Sequence, residues 1–183
     1  MILGKKTKLV PISMEYLYQY QKWINDPEVS DMLGILGFPF SIEKERKWVE
    51  DNVVPSEYRY GFTILTKSGK PIGNLALMEI EYIHKSAVLG IMIGEKEYWN
   101  RGYGTDAINA LLGFAFDTLA MNRIELRTLE INKRALACYK NCGFKVEGRR
   151  RKHWYYNGKY LDDILMGILV DEWRAKNRKE KKK

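Results

Sequence analysis

The sequence predicts a single α+β domain in which a mixed central β-sheet is covered by helices on both faces. Helical segments with one apolar face lie before and within a succession of strand-like segments, and several of those strands follow one another without an intervening helix. A doubly wound parallel sheet needs a helical crossover between successive strands, so the mixed sheet is favoured. The length of 183 residues suits one domain with a sizeable core.

The first third of the chain combines one strand with two helices. Residues 8–12 are strand-like, and Ser13 can cap a helix over residues 14–25. Ser41 can cap the next helix, which carries acidic residues in its first turn. Between the two helices, residues 34–40 form a loop rich in apolar side chains, which either lines a pocket or packs against the core.

The remaining two thirds are dominated by strands. The predicted strands are residues 60–66, 72–84, 88–93, 123–131, 145–156 and 159–170. The pair Asn157-Gly158 between the last two is a strong hairpin signal. A helix is predicted over residues 132–142, because Gly143 follows where a left-handed terminating residue belongs.

The stretch from Tyr98 to Leu119 joins a buried strand to an amphipathic helix through a glycine-containing turn, Arg101-Gly102-Tyr103-Gly104-Thr105. This order directs several backbone N–H groups and a helix N-terminus at one place, which suits the binding of a phosphate. The turn lacks both the full dinucleotide fingerprint and the Gly-Lys-Ser/Thr of a phosphate-binding loop, so it is a weak motif by itself.

A second motif follows in residues 132–144. Asn132, Ala135 and Tyr139 are three and four residues apart and therefore share a helix face. Together, W-N-R-G-Y-G-T at the turn and N-x-x-A-x-x-x-Y-x-x-x-G-F resemble the GNAT superfamily of acyl-CoA-dependent N-acetyltransferases. The resemblance covers residues 8–173 and is closest to the branch of ribosomal-protein N-terminal acetyltransferases and polyamine acetyltransferases.

The resemblance implies that acetyl-CoA binds as the acetyl donor. In this family the turn holds the CoA pyrophosphate, and the preceding strand pairs with the pantetheine arm like an added strand. A backbone N–H near Met92 would polarise the thioester carbonyl. Tyr139 would be the catalytic acid that protonates the departing thiolate. The implied cofactor-binding residues are Ile91, Met92, Ile93, Asn100, Arg101, Gly102, Tyr103, Gly104, Thr105 and Asn132.

The general base is where the sequence departs from the family pattern. Relatives often read Ala-Glu-Leu-Gly on the central strand, whereas this chain has Val88 in place of the glutamate. Glu79 and Glu81 alternate onto one face of the preceding strand and are the catalytic candidates, although an outward charged face explains them equally well. A water chain, or an amine that arrives deprotonated, would also serve. Trp99 is a second departure, since many members have glutamine or arginine there.

The charge distribution argues against a nucleic-acid-binding protein. Of the net charge of +8, the last ten residues carry +6 and the other residues only +2. Residues 174–183 are therefore predicted to be a disordered basic tail beyond an acetyltransferase domain of residues 1–173. The basic run of residues 149–153 is split between two strand faces, which favours a solvated hairpin edge over a grip on an acidic substrate group.

Cys138 and Cys142 are predicted to be packed thiols in a cytoplasmic protein, where disulfides are disfavoured. A metal site would need more ligands than His84 and His153 provide. No apolar run is long enough to span a membrane, and the N-terminus is too short and polar for a signal peptide.

The sequence therefore predicts an enzyme that moves an acetyl group from acetyl-CoA to a primary amine by direct attack. The acceptor is a protein N-terminus, an amino sugar, an amino acid or a polyamine. The alternatives are a CoA-binding regulatory protein without transferase activity, suggested by Val88, and a nucleic-acid-binding module that uses the tail. A homodimer is a further expectation. The side chains expected to shape the acceptor pocket form no acid-rich trap for a polycation: Leu36, Phe38, Phe40, Trp154, Tyr155 and Tyr156.

Overall fold

The computed structural model describes residues 1–34 and 38–180, and for residues 179 and 180 it describes the backbone alone. The strands are β1 (Ile2–Leu3), β2 (Thr7–Pro11), β3 (Tyr60–Thr66), β4 (Pro71–Glu81), β5 (Ser86–Ile93), β6 (Arg123–Leu129), β7 (Lys145–Tyr156) and β8 (Lys159–Leu169). The helices are α1 (Leu17–Ile24), α2 (Pro27–Ser30), α3 (Ile42–Val53), α4 (Tyr103–Gly113), α5 (Lys133–Cys142) and α6 (Val170–Glu180). Helix α4 continues into a π-helical turn, Phe114–Thr118.

The strands form one sheet in the order β1-β2-β3-β4-β5-β6-β8-β7. Strands β5 and β6 are parallel, and the other neighbouring strands are antiparallel. The connection between β5 and β6 contains α4, as a parallel crossover requires. The predicted α+β class with a mixed sheet is confirmed.

Helices cover both faces of the sheet. On β5, Leu89 packs in the larger core together with Ile108 of α4 and Tyr139 of α5. Met92 of the same strand packs in a second core with Tyr20 of α1 and with residues of α3. Since side chains alternate along a strand, the two cores lie on opposite faces, as predicted.

Local signals at the ends of elements are confirmed. The Ser41 hydroxyl accepts a hydrogen bond from the Lys44 N–H at 3.2 Å and caps α3. Gly143 ends α5 with a left-handed φ of 104°. Asn157 and Gly158 both have positive φ, which matches the two-residue hairpin turn that links twisted strands.

The chain after β8 differs from the prediction. Residues 174–180 continue α6, whereas their basic composition predicted a disordered tail from Arg174. The helix is stabilised at its start, because the Glu172 carboxylate accepts from the Leu169 N–H at 3.0 Å. Trp173 also packs on Phe116, with ring centroids 5.4 Å apart. The boundary of the domain at residue 173 stays a prediction.

Candidate active site

The site lies where β5 and β6 separate. These parallel strands pair over three residues, Ser86–Val88 with Arg123–Glu125. Both strands then continue, β5 to Ile93 and β6 to Leu129, without pairing to each other within the described chain. The facing edges of the two strands therefore present backbone N–H and C=O groups to a wedge-shaped opening, where an extended ligand can hydrogen-bond.

A cavity of about 820 Å³ occupies this opening and reaches both faces of the sheet. Tyr103 and Tyr139 line it on the face covered by α4 and α5. Glu125, Arg127 and Asp163 line it on the opposite face, because their neighbours in the strands point into the α4–α5 core. Two reactants can thus meet at the sheet from opposite sides.

The turn before α4 forms a concave group of donors at one end of the cavity. Asn100 and Gly102 both have left-handed φ, 57° and 79°. The first backbone bond of α4 in this turn runs from the Asp106 N–H to the Gly102 carbonyl at 3.0 Å. The preceding N–H groups, at residues 103–105, are therefore left for another acceptor at the positive end of the helix dipole. This geometry is typical of an anion site.

The turn is held in place by the β1–β2 connection. The Asp106 carboxylate accepts from the backbone N–H groups of Lys5, Lys6 and Thr7 at 2.8 to 2.9 Å. The Lys6 ammonium donates to the Arg101 carbonyl at 2.8 Å and so lies beside the anion site. Lys6 was not predicted as a site residue, because 95 residues separate it from Arg101 in the sequence.

Trp99 joins the turn to the end of β5. Its indole Nε1 donates to the Ile93 carbonyl at 2.7 Å. The Arg134 guanidinium stacks on the Trp99 ring at 3.5 Å from the ring centroid, and burial lowers the pKa of Arg134. Trp99 therefore positions the turn relative to the end of β5 and provides an aromatic face for the Arg134 cation.

Helix α5 supplies Tyr139 to the cavity, and its N-cap residue is Asn132, which also lines the cavity. The Asn132 side chain caps the helix by accepting from the Ala135 N–H at 3.1 Å, and it donates to the Met32 carbonyl at 3.3 Å. Cys138 lies 3.3 Å from the Thr105 hydroxyl, which fixes α5 against the first turn of α4.

Tyr139 is buried, and among the described residues its hydroxyl has no hydrogen-bond partner. Burial raises the pKa of Tyr139 above its usual range, so the phenol is neutral at neutral pH. The cavity therefore contains an uncommitted proton donor.

The two candidate bases are separated by a bulge in β4. The register between β4 and β5 shifts between Met78 and Glu81, and Glu79 has a left-handed φ of 49°. The regular alternation assumed from the sequence is therefore wrong at this point. Glu79 lines the cavity, whereas Glu81 pairs with Ser86 at the far end of the strand and is not part of the wall.

The cavity wall carries balanced charge. Its acidic residues are Glu79, Glu125, Glu147 and Asp163, and its basic residues are Arg123, Arg127, Arg134 and Arg150. Arg123 forms ion pairs with both Glu125 and Glu147. The basic run of residues 149–153 is split between the two sheet faces, as predicted. Arg150 lies in the cavity wall, whereas Arg149 pairs with Glu130 and Asp162 on the opposite face of the sheet. The segments expected to shape the acceptor pocket, residues 34–40 and 154–159, contain no acidic residue, and the acidic residues of the wall lie on strands of the sheet.

Comparison with known proteins identifies the family. Residues 7–145 match the acetyltransferase (GNAT) domain. The chain belongs to the GNAT family. The resemblance seen in the two motifs is thereby confirmed.

This GNAT-family chain has relatives among bacterial enzymes. It is 36% identical over 102 residues to spermidine N(1)-acetyltransferase of Vibrio cholerae, covering 56% of this chain and 58% of that protein. It is 28% identical over 123 residues to spermidine N(1)-acetyltransferase of Escherichia coli K12, covering 67% of this chain and 64% of that protein. These matches span less than two thirds of either relative.

The fold of the GNAT-family chain is also found in a solved structure, that of spermidine N-acetyltransferase from Vibrio cholerae in complex with CoA and spermine. The TM-score is 0.84 at 24% identity, and the match covers 93% of this chain and 99% of that chain. At this identity the likeness establishes the fold.

Most of the predicted site residues lie together in the cavity wall. These residues are Glu79, Ile91, Met92, Ile93, Asn100, Gly102, Tyr103, Gly104, Thr105, Asn132 and Tyr139. Glu81 and Arg101 are not among the wall residues, and the Arg101 carbonyl is bound by Lys6. The roles of all the predicted site residues in binding and catalysis stay predictions.

Proposed function

We propose that the protein transfers an acetyl group from acetyl-CoA to a primary amine. The observation that carries this proposal is the opening between β5 and β6, with an anion site at one end and a buried tyrosine in its wall. The opening offers unpaired strand edges to an extended arm, and the turn offers N–H groups to a phosphate. The residues present therefore fit acetyl-CoA.

Each part of the donor has a matching group in the wall. The backbone of residues 91–93 holds the pantetheine arm, and the N–H groups around Gly102 and Gly104 hold the pyrophosphate. Lys6 adds a positive charge beside the same turn. Asn132 keeps α5 in register through its cap, so that Tyr139 reaches the thioester end.

The reaction needs a polarised carbonyl, a nucleophile and a proton donor. Acetyl-CoA supplies an acetyl group activated as a thioester. The backbone N–H near Met92 hydrogen-bonds to the carbonyl oxygen, and the uncharged acceptor amine attacks the carbonyl carbon directly. The amine nitrogen loses one proton, and the Tyr139 hydroxyl donates one to the sulfur that leaves. Glu79 is the candidate that receives the amine proton, directly or through water.

The acceptor is a small amine or a protein N-terminus. The relatives named as spermidine acetyltransferases favour a small polyamine-like molecule. The balanced charges of the wall favour an amine with fewer positive charges than spermidine, because two of the four carboxylates in the wall are already paired with Arg123. The free cysteines Cys138 and Cys142 fit a reducing, cytoplasmic compartment. Within residues 1–34 and 38–180, no helix has both the length and the apolar character of a membrane span. Assembly as a homodimer is part of the proposal.

Thiol release from acetyl-CoA across an amine panel tests the proposal. The panel contains spermidine, glucosamine, glycine and a tripeptide amide with a free N-terminus. We expect thiol release that depends on at least one amine, with one acetylated product formed per thiol. Absence of amine-dependent release across the panel and a wider set of primary amines would contradict the proposal.

A CoA-binding protein without transferase activity is the second candidate. Val88 lines the cavity where relatives often have a glutamate, and this substitution is the observation that favours it. In that case isothermal titration would detect CoA binding while no amine released thiol. Binding and turnover together separate the two candidates.

A further inference from the structure

Asp163 is a buried carboxylate in the wall of the cavity, and the reaction described above does not use it. The residue is 1% exposed, and its Oδ2 has no hydrogen-bond partner among the described residues. It lies on β8 on the sheet face opposite α4 and α5, with Leu129 beside it on β6 and Arg150 beside it on β7. A buried carboxylate without a hydrogen-bond partner costs folding free energy, and a ligand that donates a hydrogen bond to it would offset this cost.

The charged groups that face Asp163 come from both neighbouring strands. Arg150 stands directly opposite on β7, and Arg127 and Glu125 lie further along the same face of β6. Neither arginine forms an ion pair with Asp163 within the described part of the chain, although Arg150 is its register partner across the strands. The carboxylate is therefore not neutralised by its own sheet.

A second polar atom without a partner lies in the same wall. The Trp154 indole Nε1 is buried and unpaired among the described residues, and its ring packs on Gly34. The hairpin that carries Trp154 is fastened to the segment after α2, because the Tyr156 hydroxyl donates to the Asp31 carboxylate at 2.7 Å. One acceptor and one donor without partners, both buried in the wall of the same cavity, indicate a polar ligand on this side of the sheet.

We propose that Asp163 binds the ammonium group of the acceptor on the side of the sheet opposite α4 and α5. The inference rests on the proposed function and deepens it, since it restricts the acceptor to amines that carry a positive charge on arrival or at a second nitrogen. A buried carboxylate without a partner forms a strong charge-assisted hydrogen bond with such a group. The nearby arginines then disfavour long polycations and admit acceptors that also carry an anionic group.

The test compares Asp163→Asn with the wild type and with Asp162→Asn. The control removes the same charge one residue away, on the opposite face, where Asp162 accepts from Arg149 and from the Lys152 N–H. Steady-state kinetics use the panel amine with the highest kcat/KM. Isothermal titration of the CoA-loaded protein uses that amine, or spermidine if no amine is acetylated. CoA affinity and Tm are measured for every variant.

We expect Asp163→Asn to raise the acceptor KM and the acceptor dissociation constant roughly 10- to 100-fold, with kcat and CoA affinity nearly unchanged. Asp163→Glu should recover part of the loss, and Asp162→Asn should leave the acceptor KM unchanged. An unchanged acceptor KM in Asp163→Asn would overturn the proposal, and so would a fall in kcat alone. If no amine is acetylated but Asp163→Asn still abolishes amine binding, the proposed function fails and the ammonium site stands.

Discussion

The indole Nε1 of Trp99 donates a 2.7 Å hydrogen bond to the carbonyl of Ile93 and thereby ties the anion-binding turn to the end of β5. Trp99 is partly buried and also carries the Arg134 guanidinium on its ring. The two parts of the proposed CoA site, strand and turn, are therefore held at a fixed separation by one side chain.

Replacing Trp99 by phenylalanine tests this coupling. The Ile93 carbonyl would lose its donor, and an unsatisfied, partly buried carbonyl costs about 1–3 kcal/mol. We expect the CoA dissociation constant to rise roughly tenfold by isothermal titration, with a smaller effect on the acceptor KM. Trp173→Phe is the matched control, because Trp173 packs on Phe116 away from the turn. An equal loss in both variants would assign the effect to general destabilisation.

Replacing Gly102 by alanine tests whether CoA binding depends on the backbone conformation of the turn. Its φ of 79° is left-handed, and an added Cβ would meet only the Lys6 ammonium, at 3.7 Å. Gly102→Ala is therefore strained in its backbone by about 1 kcal/mol without a collision. We expect weaker CoA binding together with a Tm a few degrees lower.

Gly158→Ala is the control for Gly102→Ala. Gly158 has nearly the same φ, 78°, and no neighbouring atom within 4 Å of an added Cβ. Gly158→Ala should lower Tm by a similar amount. It should leave CoA affinity unchanged, because Gly158 lies in the turn between β7 and β8 and not in the anion-binding turn. CoA binding that weakens equally in the two variants would argue against the anion site.

The raised pKa of Tyr20 leads us to expect that the protein loses stability at alkaline pH. Burial between α1 and the sheet raises the pKa of Tyr20 to about 12, although its hydrogen bond with Thr63 lowers it in part. The unfolded chain loses this proton near pH 10 and the folded chain does not. The contribution of the neutral phenol is therefore complete below about pH 10 and is lost as pH rises through about 12.

Chemical denaturation at several pH values checks this prediction. We expect the unfolding free energy to fall by on the order of 2 kcal/mol between pH 10 and 12 through Tyr20, with Tyr139 adding a loss of the same sign. Tyr20→Phe should be less stable at pH 7 by about 1 kcal/mol and should show a shallower decline. An unchanged slope in Tyr20→Phe would contradict the assignment.

The sequence predicted the features of the molecule that are local in the chain. Gly143 ends a helix because it alone adopts the required φ cheaply, and Asn132 and Tyr139 share a face because of helical spacing. Both facts need only a few consecutive residues. The anion-binding turn is predictable for the same reason, since its donors come from adjacent peptide groups.

The missed features depend on contacts between distant segments. Lys6 reaches the turn through the tertiary fold, and Asp163 enters the cavity because β8 inserts between β6 and β7. The bulge that turns Glu79 away from the regular alternation has no glycine or proline to signal it. The separation of β5 from β6 is likewise absent from local patterns, because both strands have ordinary strand sequences.

Tyr139 is the residue on which the proposed chemistry depends. Because its hydroxyl has no partner among the described residues, Tyr139→Phe should preserve Tm and CoA affinity. Tyr60→Phe, which removes a phenol whose hydroxyl contacts Tyr82, is the control and should retain full turnover.

The most direct measurement is kcat for acetyl transfer by Tyr139→Phe, determined beside its CoA dissociation constant. The account predicts a kcat roughly 100- to 10,000-fold below wild type with CoA binding unchanged. A kcat equal to that of the wild type would contradict the central claim that Tyr139 protonates the leaving thiolate.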